Sequence, residues 1–293
     1  MISLGLLAVF ISLLAGVLSG MIGKKVAVSL GSKISAISTV GFGTMPMAVG
    51  ILIFGAGVLP INYVIISLAS GFFLALGFVL RYMALRTEQT THTIALGVAQ
   101  PAMIIIFGLL VFKEAIGLLG IFSMAIIFFG SALIITTEGM KINRRLVPSF
   151  LASASWGIYW IMIIYSVNAT GNVLLSLFLS RIFGIAVLLI FLRIFSKDVT
   201  TAARKHHATY GRDALIAVSL LAVLGGLANG LGDTMFGVVA FYKIAAIGSA
   251  ISAALSPVLV ALLAYFLYKD RMTKTQKLGF VVLVVGAFLL SLG

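Results

Sequence analysis

Long apolar runs separated by short polar stretches fill almost the whole chain. Each run is about 18–25 residues long, and a helix of about 20 residues crosses a bilayer core of about 30 Å. Only helices and closed barrels satisfy their backbone polar groups in lipid, and these runs are too long and too uniformly apolar for barrel strands. The pattern therefore predicts ten membrane-spanning helices, spans 1–10: Leu4–Ile22, Ile34–Phe54, Ile61–Leu85, Thr93–Phe112, Leu118–Thr136, Ser149–Val167, Val173–Phe195, Ala214–Ala240, Ser249–Tyr268 and Leu278–Leu292.

One stretch of the pattern occurs twice. Residues 99–135 and 255–291 each read as an apolar helix that carries a proline, a short charged turn and a second apolar helix. A single shift of 156 positions aligns the distinctive residues of both copies. These pairs are Pro101 with Pro257, Lys113-Glu114 with Lys269-Asp270, Gly130 with Gly286, and, further upstream, Ala84 with Ala240.

The repeat divides the chain into two halves of similar length. We predict a first five-helix repeat over residues 1–146 and a second over residues 147–293. Because each repeat holds an odd number of spans, the second must enter the membrane from the opposite side. The predicted fold class is therefore an all-α membrane protein with ten transmembrane helices, arranged as two inverted five-helix repeats. In secondary transporters built this way, the substrate site lies at midplane between the repeats.

Composition supports a membrane protein and excludes several other classes. Hydrophobic residues make up 62% of the chain, against about 45–50% in soluble domains, and only 9% of residues are charged. The chain has no cysteine, so disulfides and thiolate metal sites are excluded. The first run lacks a basic leader and a cleavage site, so we interpret it as a span and not as a signal peptide. The net charge of +13 comes from cations in loops, which favours lipid headgroup contact over nucleic acid binding.

At this point the chain resembles the drug/metabolite transporter (DMT) superfamily and, within it, the EamA-like ten-helix transporters. The paired segments around Pro101 and Pro257 carry the resemblance, together with Trp156-Gly157 on span 6 and Arg181 on span 7. The first repeat departs from the last two marks, with Ala15-Gly16 and Thr44 at the corresponding positions. The resemblance implies a transporter, and the superfamily moves amino acids, sugars, nucleotide sugars and drugs.

Two charged residues inside the spans are the first functional candidates, since a charge in hydrocarbon is costly. Arg181 lies near the middle of span 7, and Asp233 lies about two turns inside the end of span 8. Asn229 precedes Asp233 by four residues and shares its helix face. Either Arg181 and Asp233 form a structural ion pair, or one or both face a central cavity, and a pair that the substrate splits would combine the two.

Further candidate substrate-binding residues lie on spans 2, 4, 6 and 9. Gln100 and Ser256 each precede the proline of their span, where a freed backbone carbonyl can serve a ligand; a simple kink is the alternative. Trp156, Tyr159 and Trp160 crowd one end of span 6, where they either stack on a ligand or form an interfacial aromatic belt. Thr44 on span 2 could line the cavity. Arg81 flanks the turn after span 3, where contact with lipid headgroups is the favoured interpretation.

No catalytic or energy-coupling motif is present in the sequence. The run that ends at Gly23-Lys24-Lys25 lacks the first glycine and the Ser/Thr of a phosphate-binding loop, so ATP is not the direct energy source. HExxH and GxSxG are absent as well. We therefore expect no enzyme activity, no cofactor and no metal site.

The sequence favours a secondary transporter of a small polar metabolite in the cell (plasma) membrane, working by alternating access and with protons as a candidate coupling ion. One cation and one anion inside the membrane suit a zwitterion, so an amino acid is the first candidate substrate. A sugar, a nucleoside-type or a cationic drug-like substrate, moved by exchange or facilitated diffusion, is the alternative. A channel is disfavoured because no ring of like residues is found. Expected partners are the substrate and membrane lipids, with no nucleic acid, and no oligomer is required.

The sidedness of the protein has two opposed indications. Most lysines and arginines fall in the loops after spans 1, 3, 5, 7 and 9, whereas Lys113 and Lys243 lie on the other side. The positive-inside rule then places both termini outside the cell, whereas the family resemblance implies that both are inside. The sequence leaves this question open.

Overall fold

The structure is a computed structural model that describes residues 2–87, 99–111, 117–135, 147–194, 197–268 and 273–292. In these residues the chain forms eleven helices and no strand. The helices are α1 (Ile2–Leu30), α2 (Ser32–Gly43), α3 (Met45–Phe54), α4 (Ile61–Thr87), α5 (Ala99–Leu110), α6 (Leu118–Ile135), α7 (Val147–Thr170), α8 (Val173–Ile194), α9 (Lys197–Phe241), α10 (Ala245–Tyr268) and α11 (Lys274–Leu292).

The all-helical prediction is confirmed, and an apolar helix occurs at the place of each predicted span. Within the described ranges, seven helices are long and apolar enough to cross a membrane. Three further apolar segments, shorter within the described residues, lie in α5, α6 and α11, over residues 100–110, 118–130 and 277–286. The count of ten crossings therefore stays a prediction. Residues 93–98 of span 4 and the pairs Lys113-Glu114 and Lys269-Asp270 lie outside the described residues.

The predicted second span is divided at Thr44 into α2 and α3. The Thr44 amide donates to the carbonyl of Gly41 and not to that of Val40, which lies a full α-helical turn back. Pro46 has no amide hydrogen and so cannot continue the helical hydrogen-bond ladder across the break. Because the Thr44 amide bonds elsewhere, the carbonyl oxygen of Val40 is released from the ladder and can accept a bond from another helix.

Between predicted spans 7 and 8 the sequence predicts a loop over Ser196–Asp213. This prediction is wrong from Lys197 onward, because α9 begins there and continues without a break to Phe241, whereas Ser196 lies outside the described residues. At about 1.5 Å per residue its 45 residues are about 68 Å long, roughly twice the thickness of a bilayer core. The polar composition of this segment was interpreted as a loop. Polar residues without proline, however, can also form a helix where the chain has left the lipid.

Helix packing brings the two predicted repeats into contact along most of their length. α1 packs on α9, α4 on both α7 and α8, α9 on α2, and α6 on α11. α5 contacts α7 and α10, and α10 also contacts α1. Large apolar side chains on the outside of the bundle are exposed, including Leu52 and Leu118, as expected of a surface that faces lipid.

Glycines allow two of these helix pairs to approach closely. A Cβ atom on Gly71 of α4 would collide with the carbonyl of Ser180 on α8. In the same way, a Cβ on Gly230 of α9 would collide with the carbonyl of Gly43 on α2. In lipid the hydrophobic effect does not drive helices together, so such backbone contacts contribute directly to their association.

Candidate functional site

A cavity of about 200 Å³ lies inside the bundle, between α1, α4, α5, α7, α9 and α10. Its wall combines hydroxyl, amide and charged groups with aromatic rings. The lining residues are Ser12, Leu13, Gly16, Val17, Ser19, Gly20, Leu74, Phe78, Arg81, Tyr82, Gln100, Pro101, Trp156, Tyr159, Trp160, Asn229, Gly232, Asp233, Phe236, Ser249, Ser252, Ala253, Ser256 and Pro257. A polar cavity inside an apolar bundle provides a site for a small polar ligand.

The structure brings most of the predicted site residues to this one cavity. Seven of the nine border it: Gln100, Trp156, Tyr159, Trp160, Asn229, Asp233 and Ser256. Gln100 and Ser256 lie beside the two repeat prolines, Pro101 and Pro257, which border the cavity as well. That these side chains bind a substrate stays a prediction.

Arg181 and Asp233 form an ion pair at the wall. Nη2 of Arg181 lies 2.5 Å from Oδ2 of Asp233 and 2.6 Å from Oδ1 of Asn229. The hydroxyl of Tyr159 donates to the same aspartate oxygen at 3.5 Å. The Arg181 side chain is fully buried, whereas that of Asp233 is 15% exposed. Both alternatives from the sequence therefore hold in part, since the pair forms and Asp233 also borders the cavity.

The divided second span supplies the other partners of Arg181. Nη1 of Arg181 donates to the carbonyl of Val40 at 3.3 Å and lies 3.5 Å from that of Thr39. The Val40 oxygen is accessible because the helical ladder is interrupted at Thr44. A Cβ on Gly43 would collide with Nη1, so the glycine leaves the space that the guanidinium occupies.

Two predicted site residues, Arg181 and Thr44, lie behind the cavity wall. Neither borders the cavity among the residues that the structure describes. Both terminal nitrogens of Arg181 are bonded within the protein, so of the two alternatives the ion pair describes Arg181 and the cavity-facing position does not. The Thr44 hydroxyl donates to the carbonyl of Val40 at 2.8 Å, and this bond holds it at the helix break.

The aromatic residues of span 6 lie inside the protein and not at a membrane interface. Trp156, Tyr159 and Trp160 are at most 8% exposed, so the alternative of an interfacial belt is wrong. Trp160 makes edge-to-face contacts with Tyr159, at 5.0 Å between ring centroids, and with Phe236, at 4.6 Å. Trp156 contacts Phe78 in the same manner at 4.9 Å. The rings form a rigid apolar wall beside the polar groups.

Arg81 is a cavity residue that sequence reasoning placed elsewhere. Its Cζ lies 5.0 Å from the centroid of the Trp156 ring, and the side chain borders the cavity. The sequence carried one signal of this position, because apolar residues continue beyond Arg81 and α4 extends to Thr87.

Serines of α1 and α10 that border the cavity could not be predicted from the sequence, since a hydroxyl inside an apolar helix is a weak signal. They are Ser12, Ser19, Ser249 and Ser252.

The described residues contain no cluster of three or more histidine, cysteine, aspartate or glutamate side chains that could hold a metal ion. The cavity groups can donate and accept hydrogen bonds, present charges of both signs and stack on a planar ligand. Such groups can recognise a small polar molecule.

A bundle of apolar helices around a cavity lined by polar and aromatic groups is typical of a multi-pass membrane transporter for small substrates. The sequence model of the EamA-like transporter family matches residues 146–292, and the chain belongs to this family. Members of the family are transporters and not enzymes. The family assignment is consistent with the drug/metabolite transporter superfamily.

Solved structures resemble this fold, and the alignment with one of them covers nearly the full chain. One of them, described as "Crystal structure of protein", superposes with a TM-score of 0.69 at 16% sequence identity. The alignment covers 97% of this chain and 96% of that chain. No curated protein sequence matches this chain significantly.

Proposed function

We propose that the protein is a secondary transporter of the cell membrane that moves a small polar metabolite by alternating access, with an amino acid or related zwitterion as the first candidate. One observation carries the proposal: the cavity wall presents a guanidinium from α4 and a carboxylate from α9, beside neutral hydroxyl and amide groups. A zwitterion needs both signs of charge.

The architecture behind this proposal is a pair of inverted repeats over residues 1–146 and 147–293. In this arrangement α1 corresponds to α7, the pair α2 and α3 to α8, α4 to α9, α5 to α10, and α6 to α11. The principal helix contacts support it, because exchanging every helix for its counterpart leaves them unchanged. The α1–α9 contact becomes α7–α4, the contact of α4 with α8 becomes α9 with α2, and α5–α7 becomes α10–α1.

Individual residues support the same correspondence. Gly31 and Gly171 both follow the first helix of their half, both have positive φ, and both donate from the amide to the carbonyl four residues back. Between α6 and α11, a Cβ on Gly130 would lie 2.9 Å from the Leu283 amide nitrogen, and one on Gly286 would lie 3.1 Å from that of Ile127. The shift of 156 relates Gly130 to Gly286 and Ile127 to Leu283, so the two contacts are counterparts.

The composition of the wall supports alternating access. Each half contributes three helices to the cavity: α1, α4 and α5 from the first, and α7, α9 and α10 from the second. Rocking one half against the other would open the cavity first to one side and then to the other.

Asp233 is the proposed proton carrier. Among the described residues it is the one acid within an apolar span and more than a turn from both ends. It borders the cavity and also contacts Arg181, so gain of a proton would weaken the ion pair. When Asp233 is ionised, a substrate ammonium could instead replace the guanidinium as its partner.

Uptake into proteoliposomes tests the proposal. Purified protein is expected to take up at least one radiolabelled L-amino acid with saturable kinetics and to discriminate against its D-enantiomer. Flux that rises linearly with concentration and lacks stereospecificity would indicate a channel. If no amino acid is taken up but sugars, nucleosides or organic cations are, the alternative substrate class is correct.

A further inference from the structure

The charges at the cavity wall are not balanced. Asp233 is bonded to Arg181, so these two groups neutralise each other at one side of the cavity. Arg81 borders the same cavity and forms no ion pair within the described part of the chain. The cavity therefore carries one positive charge that the described protein groups do not offset.

Among the described residues, the contact of Arg81 with the Trp156 ring uses none of the N–H groups of its guanidinium. The guanidinium carbon lies 5.0 Å from the centroid of the Trp156 ring, a distance at which the ring face attracts a cation. An aromatic face offers no lone pair for the five N–H groups of an arginine. Burial of such a group without an acceptor is unfavourable, and an anion inside the cavity would supply the acceptor.

Arg181 cannot bind an anion inside the cavity, although it is the more deeply buried arginine. Its terminal nitrogens donate to Asp233, Asn229 and backbone oxygens of α2, and its side chain has no exposed surface. Arg81 is partly exposed on the cavity side, so its guanidinium is the one that an incoming ligand can reach.

We propose that Arg81 recognises the anionic group of the substrate and that a carboxylate is the feature for which the cavity selects. A carboxylate accepts two parallel N–H bonds from one guanidinium, which gives both orientation and strength. The rest of the ligand would lie along the ring wall of Trp156, Trp160 and Phe236. This inference deepens the proposed transport function and rests on the same cavity.

The chain contains its own reporter of cavity occupancy. It has two tryptophans, Trp156 and Trp160, and both border the cavity. Benzoate and benzamide are suitable probes, because they have the same planar shape and differ in whether the head group is charged. Titration of detergent-solubilised protein, followed by tryptophan fluorescence, gives the dissociation constant of each. The wild type is expected to bind benzoate at least tenfold more tightly than benzamide.

Variants then assign the preference to one side chain. Arg81→Gln is expected to lose the preference for benzoate while its affinity for benzamide stays within about twofold. Arg86→Gln is the matched control, since Arg86 lies on the same helix but is exposed in its last turn, and it should retain the full preference. Arg81→Lys keeps the charge without the two parallel bonds and should show an intermediate preference.

Three results would overturn the inference: equal affinity for the two probes in the wild type, no binding of benzoate at all, or an unchanged preference in Arg81→Gln. Thermal melting and size-exclusion chromatography establish that each variant is folded. If Arg81→Gln does not fold, the wild type and Arg81→Lys still decide the question. The assay measures binding without transport, so failure of the proposed function in proteoliposomes is a separate result.

Discussion

The guanidinium of Arg181 lies 2.5 Å from the carboxylate of Asp233, and the two residues come from consecutive helices, α8 and α9. The arginine is fully buried behind the cavity wall, while the aspartate remains partly open to the cavity. The pair therefore connects the packing of α8 and α9 with the surface that a substrate meets. Loss of the arginine and loss of the aspartate are therefore expected to have different consequences.

Removal of the cation should destabilise the fold. In Arg181→Gln the Asp233 carboxylate loses its partner, and breaking a buried pair typically costs about 3–5 kcal/mol. The double variant Arg181→Gln/Asp233→Asn leaves no unpaired charge and should unfold at a higher temperature than Arg181→Gln alone. Thermal melting in detergent at constant pH measures both. If the changes in stability caused by Arg181→Gln alone and by Asp233→Asn alone simply add in the double variant, the two side chains do not interact in the way the structure indicates.

Replacement of the Asp233 carboxylate should affect the coupling of transport to protons more than it affects folding. Asparagine has nearly the shape of aspartate and can still accept a bond from Arg181, but it cannot gain and lose a proton. We expect Asp233→Asn to abolish uptake driven by a pH gradient and to retain substrate binding, measured by tryptophan fluorescence. Asp213→Asn, at the exposed start of the same span, is the control. Full pH-driven uptake by Asp233→Asn would make Asp233 a structural residue, and a wild type insensitive to pH would favour exchange or facilitated diffusion.

The helices could be predicted from sequence because lipid leaves a backbone few alternatives. A long apolar run must form a helix, and the shift that pairs Pro101 with Pro257 also predicted equivalent positions for Gln100 and Ser256, which both border the cavity. Outside the lipid this constraint ends. The polar residues that begin α9 could form a loop or a helix, and the prediction there was wrong.

The placement of individual side chains depended on information that the sequence does not carry. Arg81 borders the cavity because α4 turns that face toward Trp156, and helix rotation about its own axis is set by packing between distant segments. Arg181 was a candidate to face the cavity, but the break at Thr44 releases the carbonyl oxygen of Val40, which binds Arg181 inside the wall. Thr44 itself satisfies its hydroxyl at that break.

The space at Gly43 should be essential for the position of Arg181. A methyl group at residue 43 would collide with Nη1 of Arg181 and lie 3.0 Å from the Gly226 carbonyl. We expect Gly43→Ala to lower stability by about 1–3 kcal/mol, as overpacking usually does. Gly41→Ala on the same helix is the matched control, because nothing lies within 4 Å of a Cβ there. Equal melting temperatures for the two variants would contradict the assigned contact.

The inverted arrangement makes a prediction about two turns that correspond in the repeats. Ser32 lies at the turn between α1 and α2, and Ala169 lies just before the turn between α7 and α8. Five predicted spans separate them, so they should face opposite sides of the membrane, whereas repeats of like orientation would place them on the same side. The native chain has no cysteine, so Ser32→Cys and Ala169→Cys each introduce a single reactive thiol.

Labelling of these two variants with a membrane-impermeant maleimide decides between the arrangements. In intact cells one variant should react and the other should react only after the membrane is permeabilised. Labelling of both from one side would rule out the inverted arrangement, and the unsubstituted chain, which should not react, is the background control. The variant that reacts in intact cells also identifies the outer face. Reaction of Ser32→Cys there would place both termini inside, as the family resemblance implies, and reaction of Ala169→Cys would place them outside, as the distribution of lysines and arginines predicts.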